Sequence, residues 1–117
     1  MVVPAVDTKV YLAIGTTDMR KAINGLSMLV QGCLELDPFS GHLFAFCNRR
    51  RTIVKILYWD RNGFCLWQKR LERQVFRWPE SPHQVMEIRG QELRWLLEGL
   101  EFTKITGHRQ LEYTTVL

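Results

Sequence analysis

The stretch TIVKILYWDRNGFCLWQKRL, residues 52–71, constrains the fold more than any other part of the chain. Two apolar runs rich in Ile, Val, Tyr and Trp flank Asn62-Gly63, the pair that best tolerates the positive φ angles of a two-residue hairpin loop, so the pattern predicts an antiparallel hairpin. With Asn62 and Gly63 as the loop, Trp59 faces Leu66, Tyr58 faces Trp67 and Lys55 faces Arg70. Alternation then puts Lys55, Leu57, Trp59, Leu66, Gln68 and Arg70 on one side, and Ile56, Tyr58, Trp67 and Lys69 on the other. Both sides are apolar near the turn, which predicts a hairpin at the centre of a sheet that needs a cover on each face.

The remaining elements follow from changes of period. KVYLAI, residues 9–14, reads as a strand closed by Gly15. From Met19 the apolar residues Met19, Ala22, Ile23, Leu26, Leu29, Val30, Cys33 and Leu34 recur at helical steps, which predicts one long helix over 18–35 with Thr17 or Asp18 as its cap. Gly25 inside that helix costs about 1 kcal/mol relative to alanine and so points to a close approach there. DPFSG, residues 37–41, is a turn; HLFAFC, residues 42–47, is a strand; NRRR links it to the hairpin; residues 84–88 form a short strand. GQELRWLLEGL predicts a short helix over 90–99, with Gly99 placed to end it. The expected fold is α+β: an antiparallel sheet of four to five strands, the hairpin 53–71 at its centre, one long helix packed on a face and a short C-terminal helix over an end or the second face. Residues 1–117 read as a single domain, with 101–117 a tail of weak pattern. A sheet face left without a helix would call for a homo-oligomer or another partner.

At 117 residues, with 46% hydrophobic and 24% charged residues, the chain suits one core that needs neither staples nor a metal. Cys33, Cys47 and Cys65 are odd in number and lack CxxC spacing, which indicates a reducing compartment. No leader and no apolar run long enough for a membrane span are evident, so a cytoplasmic protein with no membrane contact is expected. His42, His83 and His108 pair with no cysteine at zinc-site spacing, and Asp18, Asp37, Asp60 and Glu98 each have a plainer job as cap, turn, hairpin corner or helix surface. No catalytic residue, metal or cofactor is expected, and the chain does not read as an enzyme.

Charge is the feature that points to a partner. Between Asn48 and Trp78 lie nine basic residues and two acidic ones, a segment of +7 in a chain whose formal net charge is +4. The rest of the chain is therefore acidic, and the positive field is local. Arg49, Arg50, Arg51, Lys69, Arg70 and Arg73 are the candidate phosphate contacts, since the far end of the hairpin and the NRRR connection meet at one sheet edge. A second candidate is GTTDMRK, where Thr16, Thr17, Arg20 and Lys21 surround a helix start, although Asp18 there suits a cap better than an anion site. The aromatic rings Trp59, Trp67 and Phe64 are read as core. Phe76, Arg77, Trp78 and Trp95 are candidates for a protein-binding surface, because aromatics flanking Arg77 before Pro79 make a good anchor in a loop.

VYLAIGTTDMRKAINGL, DPFSGHLFAFCNRRRTIVKILYWDRNGFCLWQKRLER, FRWP and ELRWLLEGL together resemble the small Orf2-like accessory proteins encoded beside the transposase in bacterial insertion sequences of the sixty-six family. The likeness runs from about Val10 to Leu100. It implies a setting in transposition in which a separate, larger transposase cuts and joins DNA, and it carries over no catalytic residues. Two expectations follow: a non-catalytic protein that binds DNA, with the transposon ends as the hypothesised target, through the basic hairpin patch, or an adaptor that binds the element's transposase.

Overall fold

The computed structural model describes residues 7–100. The elements run β1 (Val10–Thr16), α1 (Ile23–Gly32), β2 (Leu43–Cys47), β3 (Ile53–Asp60), β4 (Gly63–Arg70), β5 (Val85–Ile88) and α2 (Gly90–Leu97). The strands form one sheet in the order β4-β3-β2-β1-β5. The expected tail, 101–117, lies outside the described residues.

The sheet is mixed, which corrects the antiparallel expectation. β1 pairs with β2 in parallel, while β1–β5, β2–β3 and β3–β4 are antiparallel. The cause is α1: a helix laid between two strands carries the chain back across one face, so the second strand starts in the direction of the first. The hairpin also moves from the centre to one side, with β4 at the sheet edge, and β2 takes the central place with all five residues buried.

Alternation along the strands divides the core in two. On one face Leu26 and Val30 of α1 meet Ala13, Phe44, Phe46 and Leu57, with Phe64 and Leu66 packed alongside. On the other, Leu93, Leu96 and Leu97 of α2, together with Phe76 and Trp78, meet Val10, Leu12, Ala45, Val54 and Ile56. Both faces are covered by the chain itself, so the sheet needs no partner for that purpose.

The hairpin register differs from expectation by two residues. Asp60 pairs with Gly63, Trp59 with Phe64, Leu57 with Leu66 and Ile56 with Trp67, leaving Arg61 and Asn62 as the loop. Arg61, not Asn62 or Gly63, takes the positive φ of 57°. A shift of two preserves which side chains share a face, whereas a shift of one would exchange them. The observed register opposes Trp59 to Phe64 with ring centroids 5.0 Å apart, an edge-to-face pair.

α1 is ten residues long and begins five residues later than expected. Lys55, 9% exposed in the middle of β3, explains the delay. Its Nζ donates to the carbonyls of Met19 at 2.8 Å and Lys21 at 2.9 Å, holding residues 19–21 in a loop. A buried ammonium survives only when its donors are satisfied, and here backbone oxygens satisfy two of them. Asp18 does not cap the helix; its carboxylate accepts from the Arg20 backbone N–H instead, and Ala22 is the N-cap residue. Gly25 lies against the Lys21 side chain, whose Cβ would sit 3.2 Å from an added methyl, so the close approach is to a side chain.

α2 ends as the sequence indicates. Gly99 has φ +85°, its N–H donates to the Leu96 carbonyl, and the Leu100 N–H donates to the Trp95 carbonyl, the paired bonds of a Schellman cap.

Candidate nucleic-acid interface

Because β1 and β2 are parallel, both deliver their C-terminal ends to the same side of the sheet. The antiparallel register places the start of β3, the end of β4 and the start of β5 there too. Three connections therefore meet at this end: residues 17–22, 48–52 and 71–84. The second and third are bonded to each other, and all three are bonded to the strands. The Thr17 N–H donates to the Cys47 carbonyl, Leu71 N–H to Thr52, Phe76 N–H to Arg51, and Ile14 N–H to Gln84.

A register irregularity in β1 between Leu12 and Thr16 serves this junction. Local disruption of a ladder re-aims backbone groups. Here the Ala13 carbonyl accepts from Trp78 Nε1 at 2.9 Å and the Ile14 carbonyl from Arg51 Nη2 at 3.4 Å. The 71–84 connection and the 48–52 loop are thereby tied to adjacent residues of β1.

The 48–52 loop is pinned by Asn48. Its Oδ1 accepts from the backbone N–H groups of Thr52 (2.9 Å) and Ile53 (3.0 Å), and its Nδ2 donates to Thr52 Oγ1. Arg51 sits in the left-handed region at φ 61°, which turns its side chain inward toward Ile14 and the Cys47 thiol. Burial pushes that thiol above its ordinary range, and the nearby guanidinium opposes the rise only in part. Arg49 and Arg50 are left exposed on the tip of a loop that is already ordered.

The six expected phosphate contacts thus separate. Arg49, Arg50 and Arg73 are exposed. Arg51 is half-buried and faces inward. Lys69 and Arg70, neighbours on β4, leave on opposite faces: Lys69 Nζ donates to the Leu97 carbonyl at the end of α2 (2.8 Å), where a cation also suits the helix dipole. Arg70 pairs with Glu72 at 3.1 Å. Lys69 is better accounted for as a clamp on α2, so Lys69→Met is expected to lower stability by about 1–2 kcal/mol in chemical denaturation while leaving DNA affinity within about twofold.

Sequence reasoning missed one member of this end as a phosphate contact, Arg77 on the third connection; it and Lys21, a member of the second candidate, are both exposed. Arg77 alternates with Phe76 and Trp78, which point inward, so an i, i+2 aromatic pair was the available signal. Lys21, Arg49, Arg50, Arg73 and Arg77 have no carboxylate within ion-pair distance among the described residues. Arg20, by contrast, is bound by Asp18 at 2.6 Å. The Arg20 guanidinium beside it lowers the Asp18 carboxyl from its ordinary 3.8 to about 2.

Of the expected protein-binding residues, Arg77 is exposed, but the aromatic anchors are drawn into the core. Phe76 is 1% and Trp78 7% exposed, both within the α2-side core, and Trp95 is half-buried against that core. The correction has a physical reason: the 71–84 connection is the cover of the sheet beside α2, and its rings fill that space.

What fold and surface define is a small mixed-sheet α+β domain whose loops at one sheet end carry five exposed cations, Lys21, Arg49, Arg50, Arg73 and Arg77, with no carboxylate partner among the described residues. Residues 8–107 match the family described as IS66 Orf2 like protein. The chain belongs to that family. It is 36% identical over 96 residues to y4hO of Sinorhizobium fredii, an alignment that spans 82% of this chain and 84% of the relative. It is 30% identical over 105 residues to y4jC of the same organism, across 90% of each chain; the names of both relatives state no activity. No solved structure matches. Membership sets the chain among insertion-sequence proteins and points to a role accessory to transposition. No helix among the described residues is long and apolar enough to cross a membrane.

Proposed function

We propose that this protein is a non-catalytic accessory of its insertion sequence that binds duplex DNA through the loop end of the sheet. The observation that carries the reading is the convergence of Lys21, Arg49, Arg50, Arg73 and Arg77 on three connections at one end of the sheet, each bonded to the strands, all five exposed and none paired with a carboxylate among the described residues. Cations on ordered loops lose little entropy when phosphate arrives. The arrangement suits backbone contact, because no exposed helix or two-stranded ribbon among the described residues at this end projects side chains into a groove.

Binding of the purified chain to a duplex bearing the element's own terminal sequence, compared with a scrambled duplex across a salt series, tests the proposal. Five phosphate contacts give a slope of log affinity against log salt of about −4 to −5. A slope near zero would refute it. Similar slopes for the two duplexes, with tighter binding to the terminal sequence, would identify a specific component added to a shared phosphate contact.

The Asp18–Arg20 pair leads to a further prediction. At neutral pH the carboxylate holds Arg20 away from phosphate, so Asp18→Asn is expected to tighten DNA binding and steepen the salt slope by about one. The pair's own contribution to folding is present above pH about 4 and is lost as pH falls through about 2, because the folded-state value lies below the ordinary 3.8. An NMR titration of the Asp18 carboxyl should find that midpoint.

A further inference from the structure

The opposite end of the molecule has a different chemistry. Phe39, from the turn before β2, packs against Trp59 and Phe64 of the hairpin with ring centroids 5.1 and 5.2 Å away, and Trp59 and Phe64 are 5.0 Å apart. Each ring touches the other two. Phe39 is nevertheless 57% exposed, and Trp59 and Phe64 are only half-buried. Its position is held, since the Phe39 backbone N–H donates to Asp37 Oδ1 at 2.9 Å.

The surroundings are acidic. Glu35 and Asp37 lie on the same segment as Phe39, and both are exposed with no ion-pair partner among the described residues; Asp60, next to Trp59 on β3, leaves on the opposite face beside Tyr58. Arg61 at the hairpin tip is the cation adjoining them. Carboxylates around the rings repel phosphate, so this end does not suit DNA.

We propose that the Phe39–Trp59–Phe64 surface docks a cationic segment of another protein, one that presents arginine beside an apolar side chain. Charge and shape complementarity select that partner. A guanidinium stacks on exposed aromatic faces, above all on Trp, and forms paired hydrogen bonds with carboxylates, so one arginine uses both kinds of group found here. An aliphatic neighbour covers the exposed Phe39 ring, as a peptide laid on an aromatic anchor does. The surface lies away from the cationic loops, so protein and DNA are held at the same time. The two surfaces share no residue, and docking here stands whether or not the loop end binds DNA.

Amide NMR of the ¹⁵N-labelled chain, titrated with a synthetic peptide of alternating arginine and leucine, tests it. Shifts are expected at residues 35–39 and 59–64. Phe39→Ser should weaken binding about tenfold, and so should the double variant Glu35→Gln/Asp37→Asn, which leaves every core side chain in place and keeps an oxygen to accept the Phe39 N–H. Unchanged spectra elsewhere establish that both variants fold. The proposal is overturned if no shift occurs, if the shifts fall at the loop end, or if a peptide with glutamate in place of arginine binds equally well. It is also overturned if the same residues shift with protein concentration alone, an outcome that assigns the surface to a second copy of the chain.

Discussion

Replacing Arg49 and Arg50 together by alanine is expected to weaken duplex binding about 10- to 100-fold at low salt and to reduce the salt slope by about two, with thermal stability unchanged. Both side chains are exposed, and neither makes a hydrogen bond or ion pair among the described residues. Their removal therefore takes away only what they offer a ligand. The loop itself is held by Asn48 and by the Arg51 carbonyl, which accepts the Phe76 N–H, so the backbone should keep its shape. Each cation withdrawn from a phosphate changes the slope by about 0.9, and a charge-assisted bond near the surface is worth about 1 kcal/mol. Electrophoretic or fluorescence binding at several salt concentrations provides both numbers. Equal affinity of variant and parent would exclude this loop from the DNA-binding surface.

Replacing Trp78 by alanine is expected to destabilise the fold by about 3–5 kcal/mol, the range for truncating a large buried ring. Two effects combine. The indole fills space between the sheet and α2, and its Nε1–H satisfies the Ala13 carbonyl beside the β1 irregularity. Trp78→Phe separates them: an aromatic ring remains while the hydrogen bond is removed, for an expected cost of about 1–2 kcal/mol. Chemical denaturation of the three proteins measures the difference. A Trp78→Ala protein as stable as the parent would contradict the burial of this residue and restore it as an exposed anchor.

Much of the fold was legible because alternation and helical period are local properties. The strand at 9–14 became Val10–Thr16, that at 42–47 became Leu43–Cys47, and the short helix with its closing Gly99 lies where expected. The two faces of the hairpin were also readable, since they depend only on whether a position is odd or even. What was not legible depends on residues distant in sequence. The first helix starts late because Lys55, 36 positions after Met19, takes its carbonyl. Strand direction is not written in any strand, although the helical run between the first two strands was itself the sign of a parallel crossover.

The site was legible as a charge count and much less as a surface. Residues 48–78 do hold the excess of cations, but a linear sum does not say where side chains point. Lys69 and Arg70 are adjacent on a strand and so had to diverge, a signal that was available. The inward turn of Arg51 was not, because it rests on a left-handed backbone and on a carbonyl from β1. Phe76 and Trp78 looked like loop aromatics beside prolines; only the β1 carbonyl that receives the indole reveals that the loop is part of the core.

Amide NMR of the ¹⁵N-labelled chain with a short duplex tests the central claim most directly, because it reports which end of the sheet meets DNA. Shifts are predicted to concentrate in residues 17–22, 48–52 and 71–77 and to fade as salt is raised. Shifts concentrated instead at residues 35–39 and 59–64, or spread over both ends without salt dependence, would contradict DNA binding through the loop end.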